Sequence, residues 1–115
     1  MIEQLEGCEP LSQVWFVHDY IQLQMQDRTV TVLNEPCLRL PSGKLLGRDD
    51  LGFCDNLVRQ IGESIQDAML EEGDHFALLF SSGAALIVPL TADAAKVPEA
   101  LELPGAYVVF NQESR

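Results

Sequence analysis

The feature that most constrains this chain is an uncharged stretch that runs from residue 76 to residue 90. Two apolar runs, residues 76–80 and 84–90, flank a Ser-Ser-Gly triplet at 81–83, which is the pattern of a β-hairpin with a short turn. Strands without polar alternation have two apolar faces, so both faces need cover from a helix, a second sheet or another molecule. The stretch therefore predicts the core of a fold, and it does not by itself indicate a catalytic site.

Length and composition limit the class of protein. A chain of 115 residues with 47% hydrophobic residues is expected to form one domain with a packed core, which disordered chains lack. The first residues are acidic where a secretory signal would be basic and then apolar, and no uncharged run is long enough to span a membrane. We therefore expect a single cytoplasmic domain over residues 1–115.

A weak internal repeat appears when the chain is compared with itself at an offset of 55 residues. Residues 18–25 then lie over residues 73–80. The matched pairs are Gly7 with Gly62, Asp19 with Asp74, Leu23 with Leu78, Met25 with Phe80 and Val32 with Ile87. This shared pattern predicts two copies of one β-meander, the first at about residues 7–34 and the second at about 62–90.

The first copy shows the period of strands that have one face in the core. Apolar residues alternate with glutamine over residues 21–25, and valine alternates with threonine over residues 29–32. A period of two is typical of a half-solvated hairpin. Residues 14–17 are expected to form the strand before it, and His18-Asp19 the tight turn between the first two strands.

A helical stripe of apolar residues lies between the two copies, formed by Leu51, Cys54, Leu57, Val58 and Ile61. Asp49 or Asp50 is available as the N-cap and Gly62 as the C-terminal stop, so an amphipathic helix is predicted at about residues 50–61. Residues 35–49 connect the first meander to this helix, with a turn at Pro-Ser-Gly 41–43. The helix is expected to cover one face of the apolar hairpin.

Residues 63–70 fit either a continuation of this helix or a strand. Gly62 interrupts the helical stripe, and the repeat sets these residues over the first strand of the first meander. We therefore predict a strand in which Ala68 and Leu70 face the core. Beyond it, a brief helical turn is predicted at residues 91–95, a last hairpin at about 97–111 and a frayed tail at 112–115. The predicted fold class is α+β, with antiparallel sheets from two meander repeats packed against one helix.

Several strings fix the order of these segments: Trp-Phe-Val-His-Asp-Tyr at 15–20, Ile-Gly at 61–62, Leu-Phe-Ser-Ser-Gly at 79–83, Val-Pro-Glu-Ala at 97–100 and Tyr-Val-Val-Phe-Asn at 107–111. In this order the chain resembles a family of small bacterial proteins of unassigned function. The resemblance implies an α+β domain with two meander repeats, and it brings no catalytic residues. In size, acidity and class the chain is also similar to immunity proteins of bacterial polymorphic toxin systems, including contact-dependent growth inhibition.

The residues that carry catalysis or bind metals in other proteins are few here. His18 and His75 both sit at junctions between a turn and a strand, and neither has a partner at metal-ligand spacing. The three cysteines, Cys8, Cys37 and Cys54, are an odd number without a close pair, which argues against a disulfide framework and a zinc knuckle. A Cys-His-Asp set lacks any supporting local signature. We therefore predict a protein that is not an enzyme and that holds no metal or cofactor.

The charge distribution carries more information. The net charge is −11, and residues 49–74 hold eight acidic side chains against one basic one, a net of −7. The acidic residues are Asp49, Asp50, Asp55, Glu63, Asp67, Glu71, Glu72 and Asp74. A basic protein partner would relieve their mutual repulsion and would be steered in by it. The alternative is a solvated acidic surface that maintains solubility. Nucleic acid and anionic membranes are excluded as partners because only seven Lys and Arg residues are present.

These observations lead to three hypotheses. The first is a protein-binding domain, most plausibly an immunity protein that occludes the basic active surface of a toxin, with Trp15, Tyr20 and Tyr107 as candidate aromatic anchors. The second is a structural or regulatory homodimer that pairs through the apolar hairpin or an edge strand. The third is a small-ligand binder with a pocket between the two meanders. Full burial of Leu79, Leu86 and Val88 is expected, since an exposed remainder of this hairpin would mark an interface.

Overall fold

The computed structural model describes residue 5 and residues 10–26, 28–91, 98–104 and 107–111. These residues form two five-stranded antiparallel sheets and one short helix. The fold is therefore mainly β, and the α+β prediction holds in that coarse sense. The elements are β1 (Gln13–Val17), β2 (Tyr20–Met25), β3 (Arg28–Val32), β4 (Cys37–Arg39), β5 (Leu45–Gly47), α1 (Phe53–Val58), β6 (Ile65–Glu71), β7 (His75–Phe80), β8 (Ala85–Pro89), β9 (Glu99–Leu103) and β10 (Tyr107–Phe110).

The two sheets exchange strands between the halves of the chain. Sheet A has the spatial order β1-β2-β3-β9-β10, and sheet B has the order β5-β4-β8-β7-β6. Each sheet thus combines the meander of one half with the hairpin of the other: β9 pairs with β3, and β4 pairs with β8. Neither sheet is complete without strands from both halves, so the exchange joins the two halves into one unit.

The internal repeat is confirmed for its second strand, β2 and β7, whereas the offset between the third strands, β3 and β8, is one residue larger than predicted. β7 begins 55 residues after β2, and both strands show the same alternation of half-buried and buried residues. In the third strand, Val32 pairs with Ile21 in the first copy, and Val88 pairs with Phe76 in the second. The structural match of Val32 is therefore Val88, and the predicted match with Ile87 is wrong.

The one-residue shift comes from the turns. Two residues separate Met25 from Arg28 in the first copy, whereas three separate Phe80 from Ala84 in the second. The longer turn closes with a bond from the Phe80 N–H to the Ala84 carbonyl, and Gly83 takes a φ of 96° that favours glycine. Because side chains in a strand alternate between two faces, one extra residue in the turn moves every following side chain to the other face.

The inward side chains of both sheets pack into one hydrophobic core. Leu23 of sheet A and Phe76 and Leu78 of sheet B are fully buried in the same cluster. In the predicted apolar hairpin, Leu86 and Val88 are fully buried as expected, whereas Leu79 lies on the outer face and is half-buried. The prediction of full burial is thus wrong for the outward residues of this hairpin.

The helix is shorter than predicted, and the face that it buries differs from the predicted one. α1 covers only residues 53–58. Its N-cap residue is Gly52, whose φ is 91°, and neither Asp49 nor Asp50 caps it with a side-chain hydrogen bond. Phe53 and Leu57 are its buried residues, whereas Leu51 is 97% exposed. Most of the predicted stripe, including Cys54, Val58 and Ile61, is therefore exposed. The helix lies against β1 and β4, and the inward face of the apolar hairpin is covered by sheet A.

The segments after the helix follow the predictions where the structure describes them. Gly62 has a φ of 96° and ends the helical region, and residues 65–71 form a strand in which Ala68 is buried and Leu70 packs on the core. The last hairpin is also present, as β9 and β10. Residues 35–49 were expected only to connect the first meander to the helix, with a turn at residues 41–43. They contain a further hairpin, formed by β4 and β5 around that turn, in which Gly43 has a φ of 94°. The predictions for Gly7 and residues 92–95 and 112–115 lie outside the described residues.

Candidate protein-interaction surface

The outer face of sheet B is unusually apolar for a surface turned to solvent. Cross-strand pairing sets Met69, Ala77 and Ile87 in one row across β6, β7 and β8, and Leu79 and Ala85 in the next row. Only Arg39, Asp67 and His75 add polar groups to a shallow hollow of about 340 Å³ on this face. We call this hollow the outer groove, and its residues are Arg39, Asp67, Met69, His75, Ala77, Leu79, Ala85 and Ile87.

The groove exists because two small side chains lie between larger ones. Directly opposite residues of an antiparallel pair lie side by side, about 4.5–5.5 Å apart. Ala77 therefore leaves a gap between Met69 and Ile87, and Ala85 does the same between Leu79 and Arg39. Met69 is 48% exposed and forms one wall of this hollow. The arrangement offers an apolar floor of two alanines with apolar walls.

The polar groups lie at the margins of the groove. Asp67 is at the β6 side and Arg39 at the β4 side of the same row. At the β6–β7 turn, His75 Nδ1 lies 2.6 Å from Asp74 Oδ2, and His75 is the direct cross-strand neighbour of Glu71. Three carboxylates thus border the groove on its β6–β7 side, against a single guanidinium on the other side.

The structure separates seven of the eight acidic residues of the 49–74 stretch into two groups. Asp67, Glu71, Glu72 and Asp74 lie on β6 or in the turn that follows it, whereas the residues near the helix follow β5. β5 and β6 are the opposite edges of sheet B, about 19 Å apart at about 4.8 Å per strand spacing. In the first of these groups, which we call the β6–β7 group, Asp67, Glu71 and Asp74 border the outer groove. The other group consists of Asp49, Asp50 and Asp55. Glu63 precedes β6 and lies at the other end of that strand from Glu71 and Asp74, where it accepts a hydrogen bond from Ser81.

Besides Asp74, which bonds to His75, two of the eight carboxylates form hydrogen bonds that support local structure. Asp50 Oδ2 accepts a hydrogen bond of 2.7 Å from the Gly47 N–H, and Glu63 Oε1 accepts one of 2.8 Å from the Ser81 hydroxyl. Within the described part of the chain, none of the eight forms an ion pair with an Arg or Lys side chain. Their charge is therefore not neutralised by the described basic residues.

The three aromatic candidates are not brought to the groove. Trp15 lies on β1 and is 50% exposed, with its indole N–H donating to Gln13 Oε1 at 2.7 Å. Tyr20 is half-buried at the start of β2. Both belong to sheet A. Tyr107 begins β10 in the same sheet, and its side chain lies outside the described part of the structure.

Sequence reasoning missed the residues that build the groove. Met69, Ala77 and Ile87 were treated as core or as unassigned positions, although their alternation with the buried residues of β6, β7 and β8 places them outward. The outward positions of the β7–β8 hairpin carry no charged side chain, and this pattern could have indicated an apolar outer surface. Cys37 lies in the same row beyond Ile87. Burial raises the pKa of its thiol, and the charge of Arg39 offsets only part of that effect.

One group of side chains within the described residues has the proximity that a metal ion needs. Ligand atoms of Glu71, Asp74 and His75 lie within 4.8 Å of one another, and both carboxylates are exposed. Nothing besides proximity points to an ion there, and the His75–Asp74 hydrogen bond already explains the orientation of the imidazole. The described cysteines, Cys37 and Cys54, do not belong to this group.

Comparisons with known proteins were made against family models, curated sequences and solved structures. No family model matches the chain, and no curated protein and no solved structure is significantly similar to it. Among the residues that the structure describes, no helix has the length and apolar character needed to cross a membrane.

Proposed function

We propose that this protein is a binding domain that seats an apolar side chain of a basic protein partner in the outer groove. The observation that carries the proposal is the joint presence of an apolar hollow of about 340 Å³ and unneutralised carboxylates along one side of it. In this proposal the partner places its anchor between Met69 and Ile87, and its Lys or Arg side chains face Asp67, Glu71 and Asp74.

Apolar burial supplies the affinity in this proposal. Each 100 Å² of apolar surface removed from water contributes about 2.5 kcal/mol, so one large anchor over Ala77 and Ala85 would matter. A hot spot of this kind is usually small, central and surrounded by polar residues that exclude water. Asp67 and Arg39 occupy such flanking positions.

The carboxylates supply speed and selectivity. Opposite charge on the partner raises the association rate, and the gain falls as salt screens the charges. A net charge of −11 also disfavours acidic proteins and nucleic acids as partners. The β6–β7 group is expected to contribute more than the group near the helix, because only the former borders the groove.

An immunity protein of a bacterial toxin system is the biological role that we propose within this class. Such an inhibitor works by covering a basic active surface and requires no catalysis of its own. It would act in the cytoplasm, where the toxin would otherwise reach its target. Size, acidity and the lack of a catalytic signature in the sequence support this role.

The direct test is co-expression with a basic toxin domain, to be sought among the products of the neighbouring genes. Cells that produce both proteins should survive, and the two proteins should co-elute in size-exclusion chromatography with an affinity that falls with added salt. Survival without this protein, or separate elution at low salt, would contradict the role as an immunity protein.

Matched variants test the groove independently of the toxin's nature. Ala77→Leu fills the hollow and is expected to weaken binding by at least about tenfold. Gln24→Leu adds an equally apolar side chain to the outer face of sheet A and serves as its control.

A second pair of variants tests the charges beside the groove. Asp67→Lys should weaken binding more than Asp55→Lys, which makes the same charge change near the helix. Equal effects within either pair would remove the groove from the proposal.

A further inference from the structure

The four edge strands of the two sheets differ in how they are protected against pairing with another chain. An exposed row of backbone donors and acceptors pairs readily, so edges are usually shortened, bulged or charged. β5 has only three residues, β6 contains a bulge and carries Asp67 and Glu71, and β10 pairs with β9 through an irregular register. β1 has five residues, no charged side chain and a regular register with β2.

The hydrogen-bonding direction of β1 follows from its turn. Val17 and Tyr20 close a two-residue turn, so their backbone groups bond to each other, and the alternation continues along the pair. Trp15 therefore also bonds to β2, whereas the backbone N–H and C=O groups of Val14 and Phe16 point to the open edge. Within the described part of the chain, no backbone bond satisfies these groups.

Apolar side chains flank this open edge. Trp15 is 50% exposed on the outer face of sheet A, and Phe16 is 37% exposed on the other face. At the end of the strand, Arg48 donates a hydrogen bond to the Val17 carbonyl, so the unprotected part of the edge covers residues 13–16. An uncharged edge with exposed aromatic side chains on both faces is suited to another uncharged strand.

We infer that β1 pairs with β1 of a second copy of this chain, antiparallel and centred on Trp15. In that register Trp15 faces its own counterpart and Val14 faces Phe16, so that the free backbone groups of Val14 and Phe16 bond reciprocally. Sheets A of the two copies then form one ten-stranded sheet. The pair has two-fold symmetry, which is the commonest symmetry of homo-oligomers.

Charge selects this edge for contact between copies. Each copy carries −11, so most faces of the protein would oppose like charges when two copies meet. The inferred pairing covers residues 13–17 of both copies, none of which carries a charged side chain, and it stops before Leu11, whose backbone is already bonded to Gly62 and Glu63 of its own copy. No carboxylate of one copy then faces a carboxylate of the other along the paired strands.

The same charges make the dimer weak and dependent on salt. One strand pair with two aromatic side chains is smaller than a standard stable interface, so a dissociation constant of about 10–100 μM is expected. Salt screens repulsion between the two acidic bodies, with a Debye length of about 8 Å at 0.15 M. Added salt should therefore strengthen self-association, whereas it should weaken binding of a basic partner.

Analytical ultracentrifugation over a concentration series tests the inference, with reductant present so that the exposed Cys54 cannot cross-link copies. The wild-type protein should shift from one to two chain masses as concentration rises, at lower concentration in higher salt. A single chain mass up to about 1 mM at high salt would overturn the inference, since pairing weaker than that has no role at cellular concentrations.

Two variants locate the interface. Trp15→Lys would oppose two lysines at the centre of the pair, and Val14→Pro removes an edge-facing N–H without taking a bond from β2. Each should raise the dissociation constant by at least about tenfold with an unchanged circular dichroism spectrum. Gln66→Lys places the same charge on the β6 edge and should leave the dimer intact. Dimers that survive both β1 variants, or that are lost in Gln66→Lys, would place the contact elsewhere.

Discussion

Asn34 and Asn111 form a reciprocal amide pair that joins positions 77 residues apart. The Asn34 side-chain N–H donates to Asn111 Oδ1 at 2.6 Å, and the Asn111 side-chain N–H donates to Asn34 Oδ1 at 3.3 Å. Asn34 also donates to the Pro89 carbonyl at 2.6 Å, and it is only 2% exposed. This residue follows β3 and thereby connects the ends of β8 and β10, where strands of the two halves exchange sheets.

We predict that Asn34→Ala destabilises the fold by about 1–3 kcal/mol, because it leaves the half-buried Pro89 carbonyl and the Asn111 amide without this partner. Asn111→Ala should cost less, since Asn34 keeps its bond to Pro89. Urea denaturation of both single variants and the double variant measures the coupling. The two effects should not add, and full additivity would contradict a shared network.

The orientation of the helix predicts opposite outcomes for two neighbouring apolar residues. Phe53→Ala removes a fully buried ring and is expected to cost about 3–5 kcal/mol, because it leaves a cavity in the core. Leu51→Ala alters a side chain that is 97% exposed and should change stability by less than about 0.5 kcal/mol. Thermal and urea unfolding compare them directly. A larger loss for Leu51→Ala would favour the orientation predicted from sequence.

The two described cysteines should differ in reactivity toward a thiol reagent. Burial raises the pKa of the Cys37 thiol, so less of it is thiolate near neutral pH, whereas Cys54 is exposed. In a Cys8→Ser background, mass spectrometry after timed alkylation should find Cys54 modified first. The rate at Cys37 should keep rising with pH above the ordinary range of thiols. Faster modification of Cys37 would contradict its burial on the outer face of sheet B.

A bound partner should change this labelling in a site-specific way. Cys37 lies in the same cross-strand row as Ala77 and Ile87, so a partner seated in the outer groove is expected to slow its alkylation further. Cys54 lies on the helix and should keep its rate. Equal protection of both cysteines would point to a contact larger than the groove, and protection of Cys54 alone would contradict the proposed site.

Gly62 offers a test of backbone conformation without a packing effect. Its φ is 96°, and a Cβ atom at this position would meet no heavy atom within 4 Å. Gly62→Ala is therefore expected to destabilise the fold by about 1 kcal/mol, through backbone strain alone. Calorimetry should record this loss together with an unchanged circular dichroism spectrum. A stabilised Gly62→Ala variant would contradict a left-handed conformation at the end of the helical region.

Sequence reasoning succeeded where a local pattern and the internal repeat agreed. The alternation over β2 and β3 has a period of two, and the repeat identified residues 65–71 as a strand although the helical stripe continued into them. The prediction of the buried face of the helix was wrong because this segment has two apolar stripes, one with Phe53 and Leu57 and one with Leu51, Val58 and Ile61. Periodicity alone cannot decide which stripe faces the core.

By itself, the sequence determined the hairpins of the two meanders and the last hairpin, the repeat, the acidic balance and the buried centre at residues 76–90, because these depend on local period and composition. Only the tertiary structure decided that the halves exchange hairpins, that the acidic stretch divides between opposite edges of sheet B, and that Ala77 and Ala85 leave a hollow between larger neighbours. Those features depend on which strands become neighbours and in which register, and long-range pairing is set by the packing of the whole chain.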